Sequence, residues 1–460
     1  MLAGVAAGHP ATCEAGFEIL EEGGSAADAA VAACLASCVA ETVMTGLLGG
    51  GHAIYWDASV ALARALDCFV AVPSERGGEM IELQVPFGTE LVHYAVGPAS
   101  FAVPGVPAGL GALWREYGRL PWVRLVEPAI RIARAGVPMP PAHASCLSML
   151  APVMTMNEGK RMYSPNGELL RAGDTLHQPG LVRTLELVRD EGPETVYHGT
   201  VAEAIVALCS ERGGLVTAND LVGYAARWAS PVEVAFAGTR FFTRGGLSGV
   251  PETLARLERG GPLDGVSPRE RVITLLRAFD DGPGPGSHTT NLVTVDRHSN
   301  ACVFTTSLGL GSGDYVPGLD LHLNSMLGEV DLVRGELVPG DRMGSMMAPS
   351  VALDRDGLAL AIGSAGGTRL RTALVAVAAG ILDERLEPQR AVDRPRFHPV
   401  ARLVNAEPGV AEEALAELEA HGWSIRVWPD RHHYFGGVSV IGRSGPAADP
   451  RRSGAARVLP

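Results

Sequence analysis

The sequence predicts an α+β protein, and three observations carry that prediction. An alanine-rich helical pair opens the chain, a mainly helical stretch occupies residues 105–240, and hairpins of β-branched residues follow from Thr289 onward.

The first helix is predicted over residues 11–23, with Thr12 as its cap and Gly23-Gly24 as its end. A second follows Ser25 through Ala26-Ala27-Asp28-Ala29-Ala30-Val31-Ala32-Ala33, so small along its length that it must pack closely on a neighbour. Gly49-Gly50-Gly51 then leads into a strand over His52–Trp56. Such a run lets backbones approach closely, and without a following lysine and helix it is a poor phosphate cradle. Further helices are expected at Ala108–Tyr117, Trp122–Ala135, Gly180–Asp190 and Thr200–Glu211, a strand at Val232–Phe236, and helical sequence over 251–280. Asp281-Gly282-Pro283-Gly284-Pro285-Gly286-Ser287 breaks all periodicity and is the clearest linker in the chain. It runs directly into a predicted hairpin, Thr289–Asp296 and Ala301–Thr306, turned by Arg297-His298-Ser299-Asn300. A second hairpin is expected from Ser350–Leu353 and Leu358–Gly363, then a helix over Thr372–Leu382.

Bulk composition narrows the function. The chain has 460 residues, 47% hydrophobic and 19% charged, as a globular enzyme does and a disordered tail does not. A formal net charge of −13 leaves no basic surface for nucleic acid or an anionic membrane. Seven scattered cysteines, Cys34 and Cys38 one helical turn apart among them, indicate buried thiols rather than a disulfide framework or a zinc site. The first residues lack the basic and apolar regions of a secretory signal, and the longest apolar run, Ala373–Leu382, is too short to span a bilayer. The expectation is a soluble, cytoplasmic protein.

Several segments resemble the γ-glutamyltranspeptidase family, in family order along nearly the whole chain. Thr289-Thr290-Asn291-Leu292-Val293-Thr294-Val295-Asp296 resembles the T-T-H-x-S-V-V-D box that opens the family's small subunit. Gly309-Leu310-Gly311-Ser312-Gly313, Leu323-Asn324-Ser325-Met326, Gly363-Ser364-Ala365-Gly366-Gly367-Thr368-Arg369 and Pro395-Arg396-Phe397-His398 are similar to its later motifs. Upstream, Ile19–Ala32, Pro104–Gly109 and Gly213–Leu221 also fit.

This resemblance implies a four-layer αββα sandwich of the N-terminal-nucleophile hydrolases. It also implies self-cleavage between His288 and Thr289, giving segments 1–288 and 289–460 that form one composite domain. A threonine hydroxyl is a weak nucleophile, but the α-amine freed by that cut, with a pKa near ~8, can act as its base. From residue type alone Thr289 reads as an ordinary strand threonine; the linker before it and the collinear motifs reverse that in favour of the nucleophile. By the same resemblance Thr305 assists the nucleophile, though it also reads as a hairpin pair partner. Gly366 and Gly367 supply oxyanion-stabilising backbone N–H groups while forming a tight turn. The implied ligands are a small-molecule acyl donor and a water or amino acid acceptor. The protein partners are the chain's own two segments, with a higher oligomer open. No metal or organic cofactor is implied, nor a nucleic-acid or membrane partner.

The sequence departs from the family in the donor pocket. Phe69 stands where the family holds its carboxylate-binding arginine, and Met346 replaces the partner of a retained serine, Ser345. Ser307 replaces an asparagine, and Glu329 takes the position of the acid that holds the substrate amino group. A carboxylate that loses its bidentate arginine loses a charge-assisted pair, so glutathione is an unexpected substrate. Between Gly246 and Thr289 the chain is shorter than the family pattern. Four activities therefore stay open: an acyltransferase with an altered pocket; a C–C bond hydrolase, like the family members of alkylproline antibiotic biosynthesis; a cephalosporin-acylase-like amidase; and an uncleaved binding protein.

Overall fold

A computed structural model describes residues 1–87, 90–279, 289–333 and 335–460. Two antiparallel sheets stack face to face. The first runs, edge to edge, Ala455–Val458, Gly4–Ala7, Thr290–Val295, Ala301–Ser307, Gly50–Asp57, Leu62–Cys68 and Arg227–Ala229. The second runs Gly445–Ala448, Gly437–Gly442, Gly357–Ala365, Ser350–Asp354, Thr239–Thr243 and Val232–Phe236.

Alternation along the strands sorts side chains into three apolar layers. Val293, Val295, Val303, Ile54, Val351, Ala361 and Ile441 form the core between the sheets. On the outer face of the first sheet Leu292, Cys302 and Phe304 pack against helices Pro10–Glu21, Ala26–Ala40 and Trp122–Ala135. On the outer face of the second sheet Leu360 and Ile362 pack against Val250–Gly260, Pro268–Phe279 and Arg369–Leu382. The result is the expected αββα sandwich. The Ala26–Ala40 helix is buried along its whole length because its residues are small enough to sit close on the strands beneath it.

The Trp122–Ala135 helix and Val232–Phe236 strand match their predicted limits, and the Ala26 helix starts after Ser25, whose side chain accepts from Asp28 N–H. The first helix is a correction. It runs Pro10–Glu21 and is capped by His9, whose Nδ1 accepts from Ala11 N–H at 3.0 Å. Thr12 does not cap it, because its hydroxyl donates to Glu41 Oε1 at 2.6 Å. The helical sequence over 251–280 divides into Val250–Gly260 and Pro268–Phe279, broken at Gly261. The predicted linker Asp281–Ser287 and His288 lie outside the described residues. All seven cysteines are buried and free. Among the described residues no helix is long and apolar enough to cross a membrane.

Candidate active site

Thr289 is buried and immediately precedes the Thr290–Val295 strand in the middle of the first sheet. Odd-numbered residues of that strand face the second sheet, as Val293 and Val295 do, whereas Leu292 faces the helices. Thr289 lies two residues before Asn291 on the same alternation. It shares a small recess with Asn291, Ala365 and Ser439 on the inner faces, and with the buried Glu41 and Arg452.

Neighbouring strands add the next residues by register. Thr305 pairs with Asn291, and its hydroxyl donates to Asn291 Oδ1 at 2.7 Å. Ser307 stands one step beyond the Thr290–Thr306 pair, level with Thr289, and its Oγ accepts from Gly309 N–H at 3.0 Å. Gly309 has φ +71°, and a Cβ there would lie 2.3 Å from Glu329 Oε1 and 2.6 Å from Ser325 Oγ. Only glycine lets that turn close against Glu329 and Ser325.

The second sheet contributes the facing wall. Gly366 and Gly367, at φ +127° and +59°, leave the Gly357–Ala365 strand and accept from Arg369 and Leu370 N–H at the start of the Arg369–Leu382 helix. A Cβ on Gly366 would lie 2.9 Å from Gly436 Cα and 3.3 Å from the Arg452 guanidinium. Arg452 therefore links this loop to the recess around Thr289. Such a loop at a helix start can aim backbone N–H groups at developing negative charge.

Phe69, Met346, Met326, Leu332, Met343 and Met347 form one apolar cluster. Met346 also borders a recess with Gly367, Thr368, Arg371 and His398. Ser345 lies beside the cluster, its Oγ accepting from Met347 N–H at 3.3 Å and its carbonyl accepting from Arg244 at 2.9 Å. Thus Thr289, Thr305 and Ser307 assemble on one sheet and Gly366-Gly367 on the other. Phe69 and Met346 form an apolar flank with Ser345 beside it, and Glu329 lies beneath the Gly309 turn.

Charged groups that the sequence did not single out surround this frame. Burial pushes the Glu41 carboxyl up to about 6, against the opposing pull of Thr12, Thr290 and Arg452. Burial also lowers the pKa of the Arg452 guanidinium. His52 is held well below its usual pKa by burial first, then by Arg244 and Arg342. A carboxylate just after an alanine-rich helix and a histidine just after a glycine run were the available signals for two of them. Among the described residues no group of three or more His, Cys, Asp or Glu side chains could hold a metal ion.

Comparison with known proteins accords with this geometry. The Gamma-glutamyltranspeptidase family model matches residues 12–258 and 274–459. Glutathione hydrolase proenzyme of Bacillus subtilis (strain 168) is 25% identical, over 98% of this chain and 90% of its own. The crystal structure of cephalosporin acylase from Bacillus halodurans superposes with a TM-score of 0.87 at 25% identity, covering 100% of this chain and 96% of that one. The structure of LmbA2991HD shares the fold, with a TM-score of 0.80 at 21% identity, covering 100% of this chain and 98% of that one.

Proposed function

Because the chain belongs to the gamma-glutamyltranspeptidase family, we propose that it is a threonine-nucleophile hydrolase and acyltransferase that matures by cutting its own His288–Thr289 bond. The observation that carries this reading is the seat of Thr289. It immediately precedes an interior strand of the first sheet, between the sheets, with the Gly366-Gly367 loop linked to its recess through Arg452.

In this reading the cut separates segments 1–288 and 289–460 and frees the Thr289 α-amine. That amine takes the proton from Thr289 Oγ as the oxygen attacks the acyl carbon of the donor. Backbone N–H groups of Gly366 and Gly367 stabilise the oxyanion. The departing amine takes up the proton, leaving an ester on Thr289, which water or an amino acid then attacks. Thr305 and Asn291, joined by their hydrogen bond, fix the floor beside the nucleophile. Ser307, Glu329 and Ser345 offer polar contacts to the donor.

Phe69 and Met346 make the donor pocket apolar where the family pattern places a carboxylate-binding arginine and a serine. That flank favours an amide acylase within the acyl-enzyme scheme, a reading also supported by the likeness to cephalosporin acylase along the whole chain. Intact mass and N-terminal sequencing of the purified protein test the proposal. The expected result is two chains, one beginning at Thr289, and a Thr289→Ala variant that stays whole and inactive. A wild-type chain that remains uncut on long incubation would overturn it.

A further inference from the structure

Arg452 ends the short turn Pro450–Arg452, just after the edge strand Gly445–Ala448 of the second sheet, and is 4% exposed. Its side chain runs across Gly437, where a Cβ would lie 2.2 Å from Arg452 Cγ. It ends beside Gly366, where a Cβ would lie 3.3 Å from Nη2. Two residues without side chains thus let the guanidinium reach the loop that faces Thr289, and it lines the Thr289 recess.

This guanidinium has no carboxylate of its own. Its only hydrogen bond among the described residues runs from Nη1 to the Met44 thioether at 3.0 Å, a weak acceptor. Its Nε has no partner. The two carboxylates that line the recess are engaged elsewhere. Asp449 pairs with Arg396 at 2.6 Å and with Arg451 at 3.1 Å, and Glu41 accepts from Thr12 and Thr290. Cys146 and Arg369 also act on Arg452, but the first is a thiol that burial keeps protonated and the second a cation.

A guanidinium stays charged at neutral pH even when burial lowers its pKa, and a buried cation without a partner is destabilising until an anion meets it. The size of the recess says which anion. At ≈ 10 Å³ it has room for roughly one oxygen atom, not for a whole carboxylate. Acyl transfer at Thr289 creates negative charge on a single oxygen, that of the acyl carbonyl.

We propose that Arg452 is a further catalytic residue, which donates to that oxyanion beside the Gly366 and Gly367 N–H groups. The inference rests on the acyl-enzyme reading above and adds a charged donor to it. As Thr289 Oγ bonds to the acyl carbon, its proton passes to the α-amine and the carbonyl electron pair moves onto oxygen, where the guanidinium meets the new charge. The pair returns to the carbonyl when the leaving group departs, and the same cycle repeats when water or an amine attacks the ester. A resting carbonyl carries no such charge, so Arg452 acts on the transition state rather than on the bound donor.

p-Nitrophenyl pentanoate and butylboronic acid, which share a butyl chain, test this on the purified full-length protein. Thr289 Oγ displaces p-nitrophenolate from the ester. On boron it adds without displacement, its proton passing to the α-amine, and the tetrahedral boronate carries the negative charge. Arg452→Met should slow acylation on the order of a hundredfold with KM unchanged, and weaken the boronate by the same factor. A residue that only packs the recess would raise KM as well, or slow the ester without weakening the boronate, and either result sinks the assignment. Should the methionine variant fail to fold, Arg452→Lys keeps the charge but loses the planar fork, and should weaken the boronate on the order of tenfold. Unchanged acylation and boronate affinity in a folded variant would equally refute it. N-terminal sequencing of the same preparation separates the two readings. A wild type cut at Thr289 whose acylation ignores Arg452 removes the role of Arg452 alone. A cut wild type that neither takes the acyl group nor binds the boronate removes both, as does a chain that stays uncut.

Discussion

Glu41 is the residue whose environment has the most direct consequence for stability. Its carboxylate is buried beside Arg452 and accepts hydrogen bonds from the hydroxyls of Thr12 and Thr290. Burial nonetheless dominates and raises its pKa from 4.5 to about 6. The folded state then holds this proton more tightly than the unfolded state does, so stability falls as the pH rises from 4.5 through 6. The loss is about 2 kcal/mol at 1.36 kcal/mol per pKa unit. Glu41→Gln removes the titration and keeps an acceptor for one threonine and a donor for the other. Urea unfolding at pH 4.5 and pH 7.5 should show the variant gaining about 2 kcal/mol on the wild type between the two. A difference that does not change with pH would mean that Glu41 is not the titrating group. Neither Glu41 nor Arg452 was legible as a site residue, since each meets Thr289 only after strands from both ends of the chain are paired. Thr289, Thr305 and the Gly366-Gly367 loop were legible because their motifs are local in sequence. The Thr12 cap failed for a related reason: a partner 29 residues away claims its hydroxyl.

At the scale of one element, the Ala26–Ala40 helix shows how a cap can also anchor a neighbour. Ser25 Oγ accepts from Asp28 N–H at 3.1 Å, and Asp28 Oδ2 accepts from Ser25 N–H at 2.9 Å. The same carboxylate oxygen accepts from the N–H groups of Arg119 and Leu120, at 2.8 and 3.2 Å, in the turn before the Trp122–Ala135 helix. Ser25→Ala removes one cap and should cost about 1 kcal/mol. Asp28→Ala strips three backbone donors of their acceptor and should cost about 3 kcal/mol. Chemical denaturation of the two variants checks the ranking, and equal losses would show that the Arg119–Leu120 turn is held by other contacts. The helix start after Ser25 was readable from the alanine-rich run, whereas the Ser25–Asp28 cap itself was not singled out. The four-residue strands Gly4–Ala7 and Ala455–Val458 were not readable. Too few residues cover too little alternation, and their pairing partners lie hundreds of residues away.

Across the whole molecule, the sheets interleave the sequence on either side of Thr289. In the first sheet, Thr290–Val295 and Ala301–Ser307 lie between Gly4–Ala7 and Gly50–Asp57, and Ala455–Val458 closes the edge on Gly4–Ala7. In the second, Ser350–Asp354 pairs with Thr239–Thr243. Residues 1–288 alone would expose two unpaired strand edges where the central pair belongs, and residues 289–460 alone would lack the strands on either side of that pair. Unpaired edges and bare apolar faces of this extent do not form stable independent sheets. A cut before Thr289 should therefore leave a single cooperative unit. Differential scanning calorimetry of the cleaved protein should give one transition that removes both segments together. Residues 289–460 produced alone should lack a cooperative transition and regain one on refolding with residues 1–288. Two resolved transitions in the cleaved protein would mean that each segment holds a core of its own. The interleaved strands would then be a docking surface rather than the interior of one domain.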